Sequence, residues 1–112
     1  YILARMRYAI LLAPGAVREL QALPAYVRAR VGDALEQHLR HAPTRVSKSR
    51  IKRLRGLSRP QFRLRIDDIR VFYDVTDATV EVLAIISKAQ AAEWLEERGR
   101  EEPGGAAGEG EG

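Results

Sequence analysis

Three arginines, Arg63, Arg65 and Arg70, lie close together in the chain, and each carries a planar fork of donors suited to phosphate or carboxylate. A guanidinium stays protonated at any working pH. It can stabilise charge on a phosphate but cannot take the proton from an attacking hydroxyl. Phe72, two places after Arg70, offers an aromatic surface on which a nucleobase could stack. Upstream, residues 44–60 hold Arg45, Lys48, Arg50, Lys52, Arg53, Arg55 and Arg59 with no acidic residue among them, a composition that suits a polyanion backbone. Residues of these types can bind and polarise a phosphodiester, or grip the carboxylates of an acidic protein. The competing reading is a set of solvated strand residues beside a basic loop.

Other chemistries find few residues to work with. There is no cysteine, which excludes disulfides and cysteine-based zinc sites. The spacing of His38 and His41 does not match the usual zinc ligand sets, so neither a metal nor a cofactor is expected. The net charge of +4 conceals an asymmetry. Residues 1–88 hold 17 Lys/Arg against 8 Asp/Glu, whereas residues 89–112 hold 2 against 7. A basic domain of that kind favours nucleic acid or an acidic protein. No apolar run approaches the ~20 residues that span a bilayer, and the apolar opening is broken by Arg5 and Arg7 and lacks a secretory layout. A cytoplasmic protein with no membrane contact is expected.

At 112 residues the chain is expected to form one domain. Residues 1–6 read as an N-terminal extension, and Met6, the only methionine, is a candidate start that would leave residues 1–5 upstream of it. Residues 7–12 read as a short buried strand. Pro14 suits the first turn of a helix, with Val17, Leu20 and Leu23 on one side. After Pro24, Val27, Val31, Leu35 and Leu39 recur every four residues and predict a second, amphipathic helix. Ala42-Pro43 ends it, and Gly56 marks a turn within the basic stretch. Phe62, Leu64 and Ile66 then alternate with charged residues, as do Ile69, Val71, Tyr73 and Val75, which is the period of half-buried strands. Residues 80–86 are nearly continuous apolar, as for a central strand covered on both faces. A closing helix over 89–98 carries Trp94 and Leu95, and residues 99–112 read as a disordered acidic and glycine-rich tail. The result is an α+β domain over residues 7–98 with the order β-α-α-β-β-β-α. Its antiparallel meander lays an apolar face against a helical hairpin.

These elements gather the arginines. With Asp67-Asp68 as the loop, Ile66 faces Ile69, Arg65 faces Arg70, Leu64 faces Val71 and Arg63 faces Phe72. Phe62, Leu64, Ile66, Val71 and Tyr73 then share the core side, and Arg63, Arg65, Arg70 and Phe72 share the other. Like charges opposed across strands cost a few tenths of a kcal/mol, which makes sense if an anion fills the gap. Tyr73 and Trp94 are read as core residues.

The run Phe62-Arg-Leu-Arg-Ile-Asp-Asp-Ile-Arg-Val-Phe-Tyr-Asp-Val75 after Gly56, followed by Val80-Glu-Val-Leu-Ala-Ile-Ile86, closely resembles the signature of RelE/ParE toxins. Ala16-Val-Arg-Glu-Leu-Gln-Ala-Leu-Pro24 resembles that superfamily's first helix, and the likeness covers roughly residues 7–97. It implies the same fold. In the RelE branch, which the chain resembles more, it also implies metal-independent cleavage of mRNA in the ribosomal A site. The positions matching the family's catalytic basic residues are Arg63, Arg65 and Arg70. Lys88 stands for the basic residue after the last strand, while Ala89 and Leu95 stand where the family places an arginine and a tyrosine. Losing positioned acid–base groups typically forfeits roughly 100- to 10,000-fold in rate. Lys88, Lys52 and His41 are the candidates for a replacement base.

Three readings follow. The first is a toxin that is a ribosome-dependent endoribonuclease acting on mRNA. The second is a ParE-like toxin that inhibits DNA gyrase by binding and cuts nothing, which the residues at 89 and 95 favour. The third is a degenerate member that only binds its antitoxin. In each, an acidic and partly disordered antitoxin is expected to cover the basic face.

Overall fold

The computed structural model describes residues 7–101; the expected extension at 1–6 and the tail from 102 lie outside the described residues. The elements are β1 (Ala9–Leu12), α1 (Pro14–Gln21), α2 (Ala25–Ala34), β2 (Ile51–Arg53), β3 (Phe62–Ile66), β4 (Ile69–Val75), β5 (Thr79–Ser87) and α3 (Lys88–Glu101). The order in the sheet is β1-β5-β4-β3-β2. β1 runs parallel to β5 and the other pairs are antiparallel. The α+β meander and helical hairpin are as expected, with one strand more. β2 pairs Ile51, Lys52 and Arg53 with Leu64, Arg63 and Phe62. Its three residues are too few to show a period, and only Ile51 is buried.

β1 is a half-buried edge strand rather than a buried one. It pairs with β5 alone, and Leu11 is 56% exposed. Beyond the end of β1, Glu19 of α1 accepts from the Ile85 N–H of β5 at 2.9 Å. Pro14 opens α1 as expected. α2 continues into a π-helical turn, Leu35–Leu39. A four-residue apolar repeat overshoots the 3.6-residue turn by about 40° per step, and the wider turn returns Leu39 to the side of Val31 and Leu35, where it is fully buried.

The main core lies between the helical hairpin and one face of the sheet. It joins Ala16, Val31, Leu35 and Leu39 to Leu64, Val71, Tyr73, Val80, Val82 and Ile85. A bulge in β5 skips Leu83, since Phe72 pairs with Ala84 and Tyr73 with Val82. The bulge is why the apolar run is unbroken. Val80, Val82 and Ile85 meet the hairpin, while Ala84 and Ile86 join Phe72 in a second small core under Ala91, Trp94 and Leu95 of α3.

α3 begins at Lys88 because Ser87 and Gln90 form a capping box: the Gln90 N–H donates to Ser87 Oγ (3.2 Å) and the Ser87 N–H to Gln90 Oε1 (3.2 Å). It runs through Gly99 to Glu101, past the expected end at 98. Ala91, Trp94, Leu95, Arg98 and Gly99 form its half-buried side, and Leu57 lies beside Gly99. The last turn therefore has something to pack on.

Candidate nucleic-acid interface

The pairing of β3 with β4 is the expected one, with Arg65 opposite Arg70 and Arg63 opposite Phe72. Asp67 takes a left-handed backbone (φ 53°) at the hairpin loop, and its carboxylate pairs with Arg30 of α2 at 2.6 Å. Strand alternation puts Arg63, Arg65 and Arg70 on the side away from the hairpin, and Lys52, paired with Arg63 on β2, joins them. None of the ion pairs among the described residues involves any of these four. Arg63 is half-buried, and its Nε is enclosed without a hydrogen-bond partner. Burial, then the Arg70 and Arg65 charges, push the Arg63 guanidinium below its ordinary value. An uncompensated field of this sign is what a phosphate would relieve.

The four cations are not equally open. Lys52 and Arg65 are exposed. Arg70 is 7% exposed, and its Nη1 donates to the carbonyls of Asp67 (2.8 Å) and Ile69 (3.1 Å). It sits beside Ile86 on the side that α3 covers. Arg70 therefore shapes the loop end as well as adding charge.

Phe72 must be corrected as a stacking surface. It is fully buried, and Trp94 stacks on it with ring centroids 4.9 Å apart. With α3 in place no base reaches its ring. Spacing alone missed this because it says which side a residue faces, not what covers that side. Trp94 is the core anchor expected, and Arg98 lies over its ring at 5.1 Å. That cation went unnoticed in the sequence, although it follows Trp94 by four residues.

The basic stretch divides between two sides of the sheet. Lys52 stands with the arginine cluster. Arg53 lies over Phe62 at 5.2 Å, and Arg45 and Arg50 line a cleft by the π-helical turn. Lys48 and Arg55 are exposed. Arg59 is neutralised by Asp74 (2.6 Å) and Glu81 (2.9 Å), which ties the 54–61 loop to β4 and β5; Gly56 takes a left-handed φ of 82° at its turn.

Candidate proton-transfer groups are few. The Lys88 N–H donates to the Asp68 carbonyl at 2.7 Å, so this exposed lysine stands beside the hairpin loop, next to Arg70's end of the cluster. His41 follows Arg40, which bonds Tyr8 at the β1 edge, and two strands separate β1 from β3. It is not brought to the arginines. Tyr73 is fully buried, donates to the Pro43 carbonyl at 2.6 Å, and has its phenol pushed up by burial. As expected, it is a structural residue.

Residues 10–92 match the family described as the ParE toxin of the type II toxin–antitoxin system parDE. No curated protein matches the chain. Among solved structures, the chain is similar to the toxin–antitoxin complex RelBE2 from Mycobacterium tuberculosis: 27% identity, TM-score 0.63, covering 73% of this chain and 99% of that one. It is similar to the archaeal RelE–RelB complex from Pyrococcus horikoshii (25% identity, TM-score 0.62, covering 76% and 99%). It is also similar to a mutant of the E. coli toxin RelE in the free state, in which two arginines are replaced by alanine (26% identity, TM-score 0.62, covering 83% and 95%). A family match over most of the domain, on the fold and register described above, means that the chain is a RelE/ParE toxin of the kind found in type II toxin–antitoxin systems.

Proposed function

We propose that this toxin is a metal-independent, ribosome-dependent endoribonuclease that cuts mRNA and so inhibits translation. The observation that supports this most is the unneutralised cluster of Arg63, Arg65 and Arg70 with Lys52 on one side of the sheet. In this reading Arg63 and Arg65 grip the scissile phosphate and stabilise the charge that develops on it. Arg70, largely buried, holds the hairpin loop and adds field. Lys88, beside the hairpin loop, and Lys52, opposite Arg63 on β2, are the groups near the cluster that can move a proton. Arg45, Lys48, Arg50, Arg53 and Arg55 follow the RNA backbone beyond the scissile site. The partner is an acidic antitoxin; the M. tuberculosis relative is described as a toxin–antitoxin complex and the P. horikoshii relative as a RelE–RelB complex, and the basic face offers the complementary charge.

A specific observation supports a second reading, inhibition of DNA gyrase by binding. The matching family is that of ParE, and Ala89 and Leu95 supply no acid or base. Two assays separate them. Purified protein added to ribosomes programmed with mRNA yields A-site cuts under the first reading, and no effect on gyrase supercoiling. Stalled supercoiling with intact mRNA would reverse the assignment.

A further inference from the structure

A second basic recess lies on the helix side of the sheet, apart from the arginine cluster. It is a cleft of about 320 Å³ between the π-helical turn and the loop entering β2, lined by Gln37, His38, Arg45, Ser47, Ser49 and Arg50 among others. A neighbouring hollow shares Gln37, His38 and Arg50 with it and adds Arg30 and Asp33. The charge is one-sided. Arg45 and Arg50 enter none of the ion pairs among the described residues, and Arg30 is matched by Asp67. Asp33 is the one carboxylate in either lining. Burial, then the Arg50 charge, hold the His38 imidazole below its ordinary value.

The recess is formed in advance. Ser47 fixes the loop: its N–H donates to the Ile51 carbonyl (2.9 Å), and its Oγ accepts from the N–H groups of Arg50 (3.0 Å) and Ile51 (3.2 Å). Having accepted twice, that hydroxyl keeps its own proton to donate. Tyr73 fastens the other end of the segment through the Pro43 carbonyl. Two guanidinium groups, two hydroxyls, an amide and an imidazole thus line one recess, with Asp33 of the adjoining hollow as the one carboxylate nearby. A tetrahedral phosphate, with acceptor oxygens in several directions, uses such a set more fully than a planar carboxylate does.

We propose that this recess binds a phosphate group of an RNA strand, as a second subsite across β2 from Lys52, Arg63 and Arg65. β2 is the sheet edge and only three residues long, about 10 Å, so a single strand can round it. The proposal rests on the RNA-binding reading above, and its test has one readout that involves no RNA.

That readout is the NMR signal of the His38 imidazole in the full chain, titrated with inorganic phosphate at neutral pH. Saturable shifts are expected in the wild type and in R63A/R65A, and are expected to vanish in R45Q/R50Q. Binding of single-stranded oligouridylate, followed by fluorescence anisotropy, should weaken roughly five- to tenfold in R45Q/R50Q, as for the loss of two phosphate contacts. A His38 signal that phosphate leaves unmoved, or moves equally in R45Q/R50Q, overturns the subsite. A saturable shift with unchanged oligouridylate affinity in R45Q/R50Q assigns the recess to a small free anion and overturns its RNA role. If ribosome cleavage fails while both effects persist, only the endonuclease reading is lost.

Discussion

The arginine cluster differs from an ordinary solvated strand surface because its charges meet no carboxylate among the described residues and one donor, Arg63 Nε, is enclosed without a partner. An enclosed donor of this kind costs about 1–3 kcal/mol. Single residues can be told apart by what they should lose. Tyr73→Phe should lower unfolding free energy by about 1–3 kcal/mol, because the Pro43 carbonyl is left unpaired. Its activity per folded molecule should not change, as checked by urea denaturation beside a cleavage assay. His38 sets a pH dependence. Its folded value lies below the ordinary 6.5, so the unfolded chain binds the proton more readily, and stability falls as pH drops through 6.5 toward the folded value. Denaturation midpoints should decline over that window and decline less in His38→Gln. An equal decline in both would remove His38 as the cause.

Most elements were legible in the sequence because their periods are strong. Phe62, Leu64 and Ile66 alternate cleanly, and the register across Asp67-Asp68 follows by counting. What escaped had little periodic signal. β2 has one buried apolar residue, and α3 beyond Arg98 depends on Leu57, a contact from a distant loop. The Ser87-Gln90 capping box was present in the sequence and marks the start of α3 more sharply than apolar spacing does. Phe72 shows the limit of alternation, which assigned its side correctly but not its cover. α3 is held by the small core around Phe72, so Trp94→Ala should destabilise the protein by about 2–4 kcal/mol. Hydrogen exchange should rise in α3 before the main core; uniform exchange would mean that α3 is held by more than this contact. Glu19→Ala should cost about 1–3 kcal/mol by orphaning the Ile85 N–H, whereas Glu19→Gln, which keeps an acceptor, should cost less.

For the whole molecule, charge is the organising property. The helical hairpin and one sheet face enclose the main core, and among the described residues no helix is long and apolar enough to cross a membrane. Unpaired cations lie on both sides of β2, which suits a partner that contacts an edge rather than fills a pocket. Affinity for single-stranded RNA should therefore fall steeply with salt, and R63A/R65A should reduce the slope of log K against log [salt] by about 1.4. An unchanged slope would place the RNA elsewhere. The central claim is that Arg63 and Arg65 stabilise a cleaving phosphate, and the rate of A-site mRNA cutting on programmed ribosomes tests it most directly. R63A/R65A, shown to be folded by its thermal midpoint, should cut at least about 100-fold more slowly than the wild type. Cutting at an undiminished rate would contradict the account.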